Sequence, residues 1–194
     1  MAKKRVAKKA TAKSKSAKKK PAKKVVRATP KRAVVKKAVV KKAAAAPTPQ
    51  TVIPYLCCKG AAAALDFYTK GFGAKEMMRM TGPDGLVGHA DIQIYGASIM
   101  LSDESPEGGV FAPSTVGKSP VAIHLYVPDV DKFFARATAA GAVTLRAVAD
   151  MPYGDRQGTL QDPFGHRWMI ATKKESVGGA ELRKRFGSAF KVSY

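Results

Sequence analysis

Residues 121–130 read Val-Ala-Ile-His-Leu-Tyr-Val-Pro-Asp-Val, and this stretch predicts the organisation of the whole chain. Its first seven residues are mostly apolar, which is typical of a strand over residues 121–127. Asp129 is a preferred N-cap residue for the helix that follows, and Gly141 is predicted to end that helix. The apolar face of the predicted helix consists of Val130, Phe133, Phe134 and Ala137.

The same pattern occurs once more, 69 residues earlier in the chain. Residues 52–58 form an apolar segment typical of a strand, and residues 61–72 predict a helix that ends before Gly73. The offset places Tyr55 onto His124, Gly96 onto Gly165 and Met100 onto Met169. The chain is therefore predicted to contain two copies of one module.

Further extended segments complete each copy. In the first copy, residues 88–94 and 97–101 follow a Gly-Pro-Asp-Gly turn; in the second, residues 159–161 and 167–172 flank a turn at 162–165. We predict an α+β fold of two strand–helix–strand–strand–strand modules. We predict a basic tail over residues 1–50, a folded domain over 51–173 and a short basic appendage over 174–194. Within the folded domain, the modules are predicted at 51–104 and 119–173, with a linker at 102–119.

Three motifs carry a resemblance to a known family: Leu65-Asp66-Phe67-Tyr68 in the first helix, Val127-Pro128-Asp129-Val130 at the start of the second, and Asp162-Pro163-Phe164-Gly165-His166 before the last strand. Paired modules with these motifs resemble the vicinal oxygen chelate superfamily, which contains glyoxalases, ring-cleaving dioxygenases, fosfomycin-resistance transferases and bleomycin-binding proteins. The resemblance covers residues 51–173. It implies paired βαβββ modules that curl into a half-barrel around a cavity, whose side chains set the function.

The resemblance also implies four positions for metal ligands. In the family, a His lies near the start of each module's first strand and a Glu lies in each module's last strand. Carried over through the motifs, these positions fall on Ile53, Met100, Ala122 and Met169. A divalent cation needs imidazole, carboxylate or thiolate ligands. We therefore expect neither a metal at this place nor another cofactor.

Strand alternation predicts which side chains line the cavity. With Ile53 and Ala122 pointing inwards, the set also contains Tyr55, Cys57, Met100, His124, Tyr126 and Met169. Tyr55 and His124 are then symmetry-related polar groups able to orient a ligand or transfer a proton. The alternative for His124 is a core histidine satisfied by one neighbour. His89 and His166 lie next to turns, where structural or exposed histidines are typical, and catalytic residues stay unassigned.

The N-terminus has a different composition from the rest of the chain. Residues 1–46 hold 19 of the 35 Lys and Arg and no Asp or Glu, so the net charge of +21 divides into +19 for this tail and +2 for the remainder. Like charges at this density, with only small apolar residues between them, predict a disordered segment. The composition resembles the tails of linker histones and of bacterial histone-like proteins.

A flexible polycation binds nucleic acid by releasing counterions from the phosphates. We therefore predict that the tail holds DNA or RNA without sequence preference, an anionic membrane surface being the alternative. The predicted contact residues are Lys3, Lys4, Arg5, Lys8, Lys9, Lys18, Lys19, Lys20, Lys23, Lys24, Arg27, Lys31, Arg32, Lys36, Lys37, Lys41 and Lys42.

Other protein classes are excluded by simple features of the sequence. The two cysteines, Cys57 and Cys58, are adjacent, which argues against a disulfide scaffold. No stretch fits a signal peptide or a spanning helix, so we expect a soluble cytoplasmic protein, associated with the nucleoid if the source is bacterial.

The sequence thus predicts a protein that binds a small organic molecule without the family metal centre and is tethered to DNA or RNA by its tail. A second copy of the chain, in a homodimer, is a further predicted partner. Two alternatives stay open. One is a glyoxalase-like lyase or dioxygenase with displaced metal ligands such as His124 and His89, and the other is a nucleoid-associated packaging protein.

Overall fold

The first module contains four strands and one long helix. A computed structural model describes residues 52–191 and residue 193, so the predictions for residues 1–50 lie outside the described part. The elements are β1 (Tyr55–Cys58), α1 (Ala61–Phe67), which continues as a π-helical turn (Tyr68–Phe72), β2 (Lys75–Thr81), β3 (Val87–Ile94) and β4 (Ala97–Asp103). The strand order in the sheet is β1-β4-β3-β2, with β1 parallel to β4 and the other pairs antiparallel.

The second module repeats this arrangement. A 3₁₀ turn (Pro106–Gly108) and the short α2 (Pro113–Val116) lead to β5 (Ala122–Tyr126), α3 (Val130–Ala139), β6 (Val143–Asp150), β7 (Asp155–Gln161) and β8 (Arg167–Lys173). Its sheet has the order β5-β8-β7-β6, which matches the first sheet strand for strand. The α+β fold with paired βαβββ modules is therefore confirmed. The last elements among the described residues are α4 (Gly179–Phe186) and a 3₁₀ turn (Gly187–Ala189).

Each module caps its helix from the end of its last strand. The Asp103 carboxylate accepts hydrogen bonds from the backbone N–H groups of Gly60 and Ala61, at the start of α1. In the second module the Thr172 hydroxyl accepts from the N–H of Val130. Asp129, the predicted N-cap, accepts from the N–H of Lys132 at 3.0 Å. The repeat is therefore built on equivalent hydrogen bonds as well as on equivalent strands.

An aromatic cluster joins the two modules between their helices and sheets. The Phe72 ring lies 4.8 Å from that of Phe133 and 4.9 Å from that of Trp168, measured between centroids. Tyr68 lies 5.7 Å from Trp168 and donates a hydrogen bond of 2.6 Å to the buried Asp162 carboxylate. Because these residues come from both modules, the modules share one hydrophobic core.

Some boundaries differ from the sequence predictions. The first strand begins at Tyr55 rather than at residue 52, and β7 begins at Asp155 rather than at residue 159. β2 and β6 were not located by the sequence pattern; every residue of β2 is exposed, so it shows no alternation of buried and exposed positions. Among the described residues, no helix has the length and apolar character needed to cross a membrane.

Candidate functional site

One face of each sheet is turned away from the helices, and these two faces hold most of the residues predicted to line a cavity. In β3, Ala90, Ile92 and Ile94 are buried towards the helix, so His89 and Asp91 project from the opposite face. Strand register extends the same assignment to the neighbouring strands. The first open face comprises Tyr55, Cys57, Met78, Met80, His89, Asp91 and Met100, and the second comprises His124, Tyr126, Arg146, Gln157, Thr159 and Met169.

A chain of three polar side chains crosses the first open face. The Tyr55 hydroxyl lies 3.0 Å from His89 Nδ1, with the two rings 5.6 Å apart between centroids. On the other side of the same imidazole, His89 Nε2 lies 3.6 Å from Asp91 Oδ1. If the Nε2 proton faces Asp91, Nδ1 accepts the Tyr55 hydroxyl proton. The arrangement places a hydrogen-bonded pair, Tyr55 and His89, next to a carboxylate at ion-pair distance.

The second open face carries a polar network that connects exposed rings to buried polar side chains. The His124 ring lies 4.8 Å from that of Tyr126, and Tyr126 donates a hydrogen bond of 2.8 Å to the buried Asp155. That bond is the main reason why the pKa of Tyr126 lies above its usual value. Tyr153 donates to Gln157 Oε1, whereas the buried Nε2 of Gln157 has no hydrogen-bond partner among the described residues. This amide is an unsatisfied polar group beneath the second open face.

The structure brings some predicted residues together and separates others. Tyr55 lies beside Met100, and His124 lies beside Met169, in the register of neighbouring strands. A groove of about 590 Å³ adjoins Tyr55, and another of about 670 Å³ adjoins Tyr126. Neither of these grooves is lined by both Tyr55 and His124. Each of the two has its own ring partner, His89 for the first and Tyr126 for the second.

The remaining predicted residues lie at the edges of the two faces. Ile53 precedes β1 and is half-buried, and Ala122 is the exposed first residue of β5. Cys57 is half-buried, and burial, followed by the charges of Glu104 and Asp103, raises the pKa of its thiol. Burial also raises the pKa of Cys58. Neither thiol is a reactive thiolate near neutral pH.

Sequence reasoning missed several polar residues of these faces. His89 was assigned to the neighbourhood of a turn, although His89 and Asp91 are two residues apart, a spacing that places both on one face of a strand. Gln157 and Asp155 were missed because the predicted strand began only at residue 159. Tyr153 lies in the loop before β7, and nothing in the local pattern pointed to its contact with Gln157.

The positions implied for metal ligands carry no suitable donor atoms. They hold Ile53, Met100, Ala122 and Met169, and aliphatic or thioether groups do not replace imidazole or carboxylate for Zn, Mn, Mg or Fe. Within the described residues, no group of three or more His, Cys, Asp or Glu side chains is arranged to hold a metal ion. The family metal centre does not fit these residues.

Comparison with known proteins places the fold in its family. A family model described as the Glyoxalase/Bleomycin resistance protein/Dioxygenase superfamily matches residues 49–170. The chain belongs to this superfamily. The resemblance drawn from the three sequence motifs is thereby confirmed for the folded domain.

Individual known proteins are similar to this chain over most of the same region. The uncharacterised protein Rv0887c of Mycobacterium tuberculosis is 42% identical over 138 residues, which are 70% of this chain and 81% of that protein. The X-ray structure of the Arabidopsis thaliana gene product At5g48480 is 27% identical, with a TM-score of 0.52, and the match covers 64% of this chain and 99% of that one. TioX from Micromonospora sp. ML1 is 24% identical, with a TM-score of 0.51 over 64% of this chain and 99% of its own, and shares the fold.

Proposed function

We propose that the folded domain binds a small organic molecule on its open faces without the family metal centre. The observation that carries this proposal is the pairing of Tyr55 with Met100 and of His124 with Met169 at equivalent places on the two sheets. Each pair combines one polar ring with a polarisable thioether. Apolar surface with a few polar contacts is typical of small-molecule sites. The Gln157 Nε2 group, which has no hydrogen-bond partner among the described residues, supplies a further polar group below the second open face.

Ligand screening by thermal shift, followed by titration of variants, tests this proposal. Once a binder is found, His124→Ala should weaken binding by about 1–3 kcal/mol, because a buried ligand group loses its partner. Tyr55→Phe, which keeps the ring, should cost less than Tyr55→Ala. His124 is exposed, which argues against the alternative of a core histidine, so unchanged affinity in His124→Ala would remove this residue from the site.

The absence of a metal centre is tested separately by elemental analysis of the purified protein. We expect no stoichiometric divalent metal, because Ile53, Met100, Ala122 and Met169 provide no imidazole or carboxylate. One Zn, Ni, Mn or Fe per chain would contradict this. If replacement of His124 removed the metal and replacement of the exposed surface residue Lys132 did not, the metal would be located on the second open face.

The contacts of His89 favour a second candidate, an enzyme of the glyoxalase-like lyase or dioxygenase type. The short distance between Tyr55 and His89, with Asp91 behind the imidazole, supplies a proton donor and acceptor on the first open face. The displaced metal ligands expected for this alternative, His89 and His124, lie on different open faces, and both ring nitrogens of His89 face other side chains, so the contacts favour its acid–base part rather than its metal site. A tightly held metal that is lost in His89→Gln as well as in His124→Gln would support the enzyme over the binding protein.

The basic tail gives the protein its second proposed partner. Its 19 cations without an acid support non-specific attachment to DNA or RNA, and in a bacterial cell the protein would then associate with the nucleoid in the cytoplasm. The alternative, a packaging protein whose folded domain only dimerises, predicts that DNA compaction needs both the tail and the dimer. A ligand specific for the folded domain would count against that alternative.

Exposed apolar residues on β2 and β6 support a homodimer as a further part of the proposal. Met77 and Met80 of β2 and Val143 and Leu145 of β6 are exposed large hydrophobic residues on the outer strands of the two sheets. Such exposed apolar surface is typical of an interface. Sedimentation equilibrium of the full chain should give twice the monomer mass, and replacement of Met80 and Leu145 with Glu should shift it towards the monomer.

A further inference from the structure

A cavity of about 330 Å³ lies between the two modules, outside the open faces except at Tyr55 and Cys57. Residues of the edge strands β1 and β5 line it, together with residues of the linker between the modules. Much of its lining is apolar, and the linker residues Phe111 and Val116 remain exposed, together with Val121 before β5. A cavity of this size and character is in the range of small-molecule sites.

Two cations and no acidic residue line this cavity. They are Lys118 from the linker and Arg167 from the first position of β8. Neither forms an ion pair or a side-chain hydrogen bond with the described residues, whereas Arg156 and Arg185 are each held by two carboxylates. The lining of the cavity therefore carries two cations without a carboxylate of its own beside an apolar surface, and the acidic groups Asp103 and Glu104 act on Cys57 from outside the lining.

Apart from the Cys57 thiol, the other polar side chains of the cavity already have partners. His166 is buried, and its Nε2 donates a hydrogen bond of 3.0 Å to the backbone oxygen of Cys57. The Ser119 hydroxyl donates to the backbone oxygen of Val121 and accepts from its N–H. Recognition of a charged ligand is thus left to Lys118 and Arg167, and Arg can hold a carboxylate with two hydrogen bonds.

We propose that this cavity between the modules binds a small carboxylic acid, with the apolar body of the acid against Phe111, Val116 and Val121 and its carboxylate between Lys118 and Arg167. The combination of an apolar wall and two unpaired cations selects an amphipathic anion over a neutral molecule and over a small hydrophilic anion. This site is distinct from the second open face, because neither His124 nor Met169 lines it, and it shares only Tyr55 and Cys57 with the first open face.

The test uses the full chain and three probes: 2-naphthoate, its neutral isostere 2-naphthamide, and acetate. Calorimetric titration at one fixed physiological salt concentration should show saturable binding of 2-naphthoate. The two other probes should bind at least about tenfold more weakly, because 2-naphthamide lacks the negative charge and acetate lacks the large apolar body. The double variant Lys118→Gln/Arg167→Gln should weaken 2-naphthoate at least about tenfold and leave 2-naphthamide unchanged. The matched control Arg183→Gln/Lys184→Gln removes two exposed charges from α4 and should change nothing.

Cys57 provides a second measurement, because its half-buried thiol lines the cavity. Saturating 2-naphthoate should slow the modification of Cys57 by a maleimide at mildly alkaline pH, where its raised pKa still allows reaction. Binding to the basic tail would leave this rate unchanged. The proposal is overturned if 2-naphthoate does not saturate, if Cys57 is not protected, if 2-naphthamide binds equally well, or if the control variant loses as much affinity as the cavity variant.

Discussion

At the scale of single residues, Asp162 shows how one carboxylate can fix both a turn and the contact between two modules. Its Oδ1 accepts from the backbone N–H groups of Phe164 and His166, and its Oδ2 accepts from the Tyr68 hydroxyl and from Trp168 Nε1. The sequence motif identified the turn through its Asp-Pro-Phe-Gly pattern. It could not identify the bond to Tyr68, since that contact spans 94 residues and depends on how the modules pack.

Removal of the Tyr68 hydroxyl should destabilise the folded domain. Tyr68→Phe leaves the ring in place but deprives the buried Asp162 carboxylate of one of its four donors, so we expect a loss of about 1.5–3 kcal/mol, the range for hydrogen bonds to charged groups. Urea unfolding measures the loss. Tyr95→Phe, at a half-exposed ring, is the matched control and should change stability by less than about 0.5 kcal/mol. Equal effects of the two substitutions would contradict the role assigned to Asp162.

The same tyrosine should make stability depend on pH in alkaline solution. Burial, the charge of Asp162 and their hydrogen bond raise the pKa of Tyr68 well above its usual value. Above about pH 10, Tyr68 loses its proton in the unfolded chain but keeps it in the folded chain. The stabilisation by the protonated Tyr68 is therefore complete below about pH 10. It is lost as the pH rises further, by about 1.4 kcal/mol of the free energy of unfolding per pH unit. Denaturant unfolding between pH 9 and pH 11 should show a shallower decline for Tyr68→Phe than for the native chain. Parallel curves would contradict this.

At the scale of elements, the sequence was informative where a face is buried and uninformative where a strand is exposed. The helices were placed by Asp129, Gly73 and Gly141, and the central strands by their apolar residues. The sequence did not predict β2, because all of its residues are exposed and its position depends only on backbone pairing with β3. Alternation predicted Tyr55 and Met100 as lining residues of one cavity, and the register of β1 and β4 places the two residues side by side. The contacts of Tyr55 with His89 and of His124 with Tyr126 depend on side-chain conformations that no pattern in the sequence specifies.

Packing of α3 against β7 leads to a prediction at this scale. Gly158 has no side chain because the Phe134 ring lies against its backbone, and a methyl group there would overlap the ring. Gly158→Ala should therefore cost about 1–3 kcal/mol, as overpacking of a core does. Gly88→Ala in β3 is the control, since the nearest atom to an added methyl is 4.0 Å away. The double variant Gly158→Ala/Phe134→Leu should lose less stability than the sum of the two single losses, because the smaller side chain leaves room for the methyl group. A loss equal to that sum would contradict the contact.

At the scale of the whole molecule, charge divides the chain into two parts with different physical chemistry. Residues 1–46 carry +19 and the remainder carries +2, with 16 basic and 14 acidic residues beyond residue 50. Within the described residues, Arg79, Arg156 and Arg185 are held in ion pairs with neighbouring carboxylates, and the 16 basic residues are nearly balanced by the 14 acidic ones. The folded domain is therefore not expected to bind polyanions strongly, and any affinity for nucleic acid is predicted to come from the tail.

Deletion of residues 1–46 tests this division directly. The full chain should bind duplex DNA with an affinity that falls steeply with salt, because each phosphate neutralised adds roughly −0.9 to the slope of log K against log salt. Contacts by about half of the 19 cations would give a slope near −9. The truncated chain, whose shared core lies in the described residues, should bind much more weakly and with a small slope. Gel shifts with two unrelated duplexes at three salt concentrations measure both quantities. Equal binding by the truncated chain would assign the nucleic-acid contact to the folded domain, and a strong preference for one duplex would contradict attachment by counterion release alone.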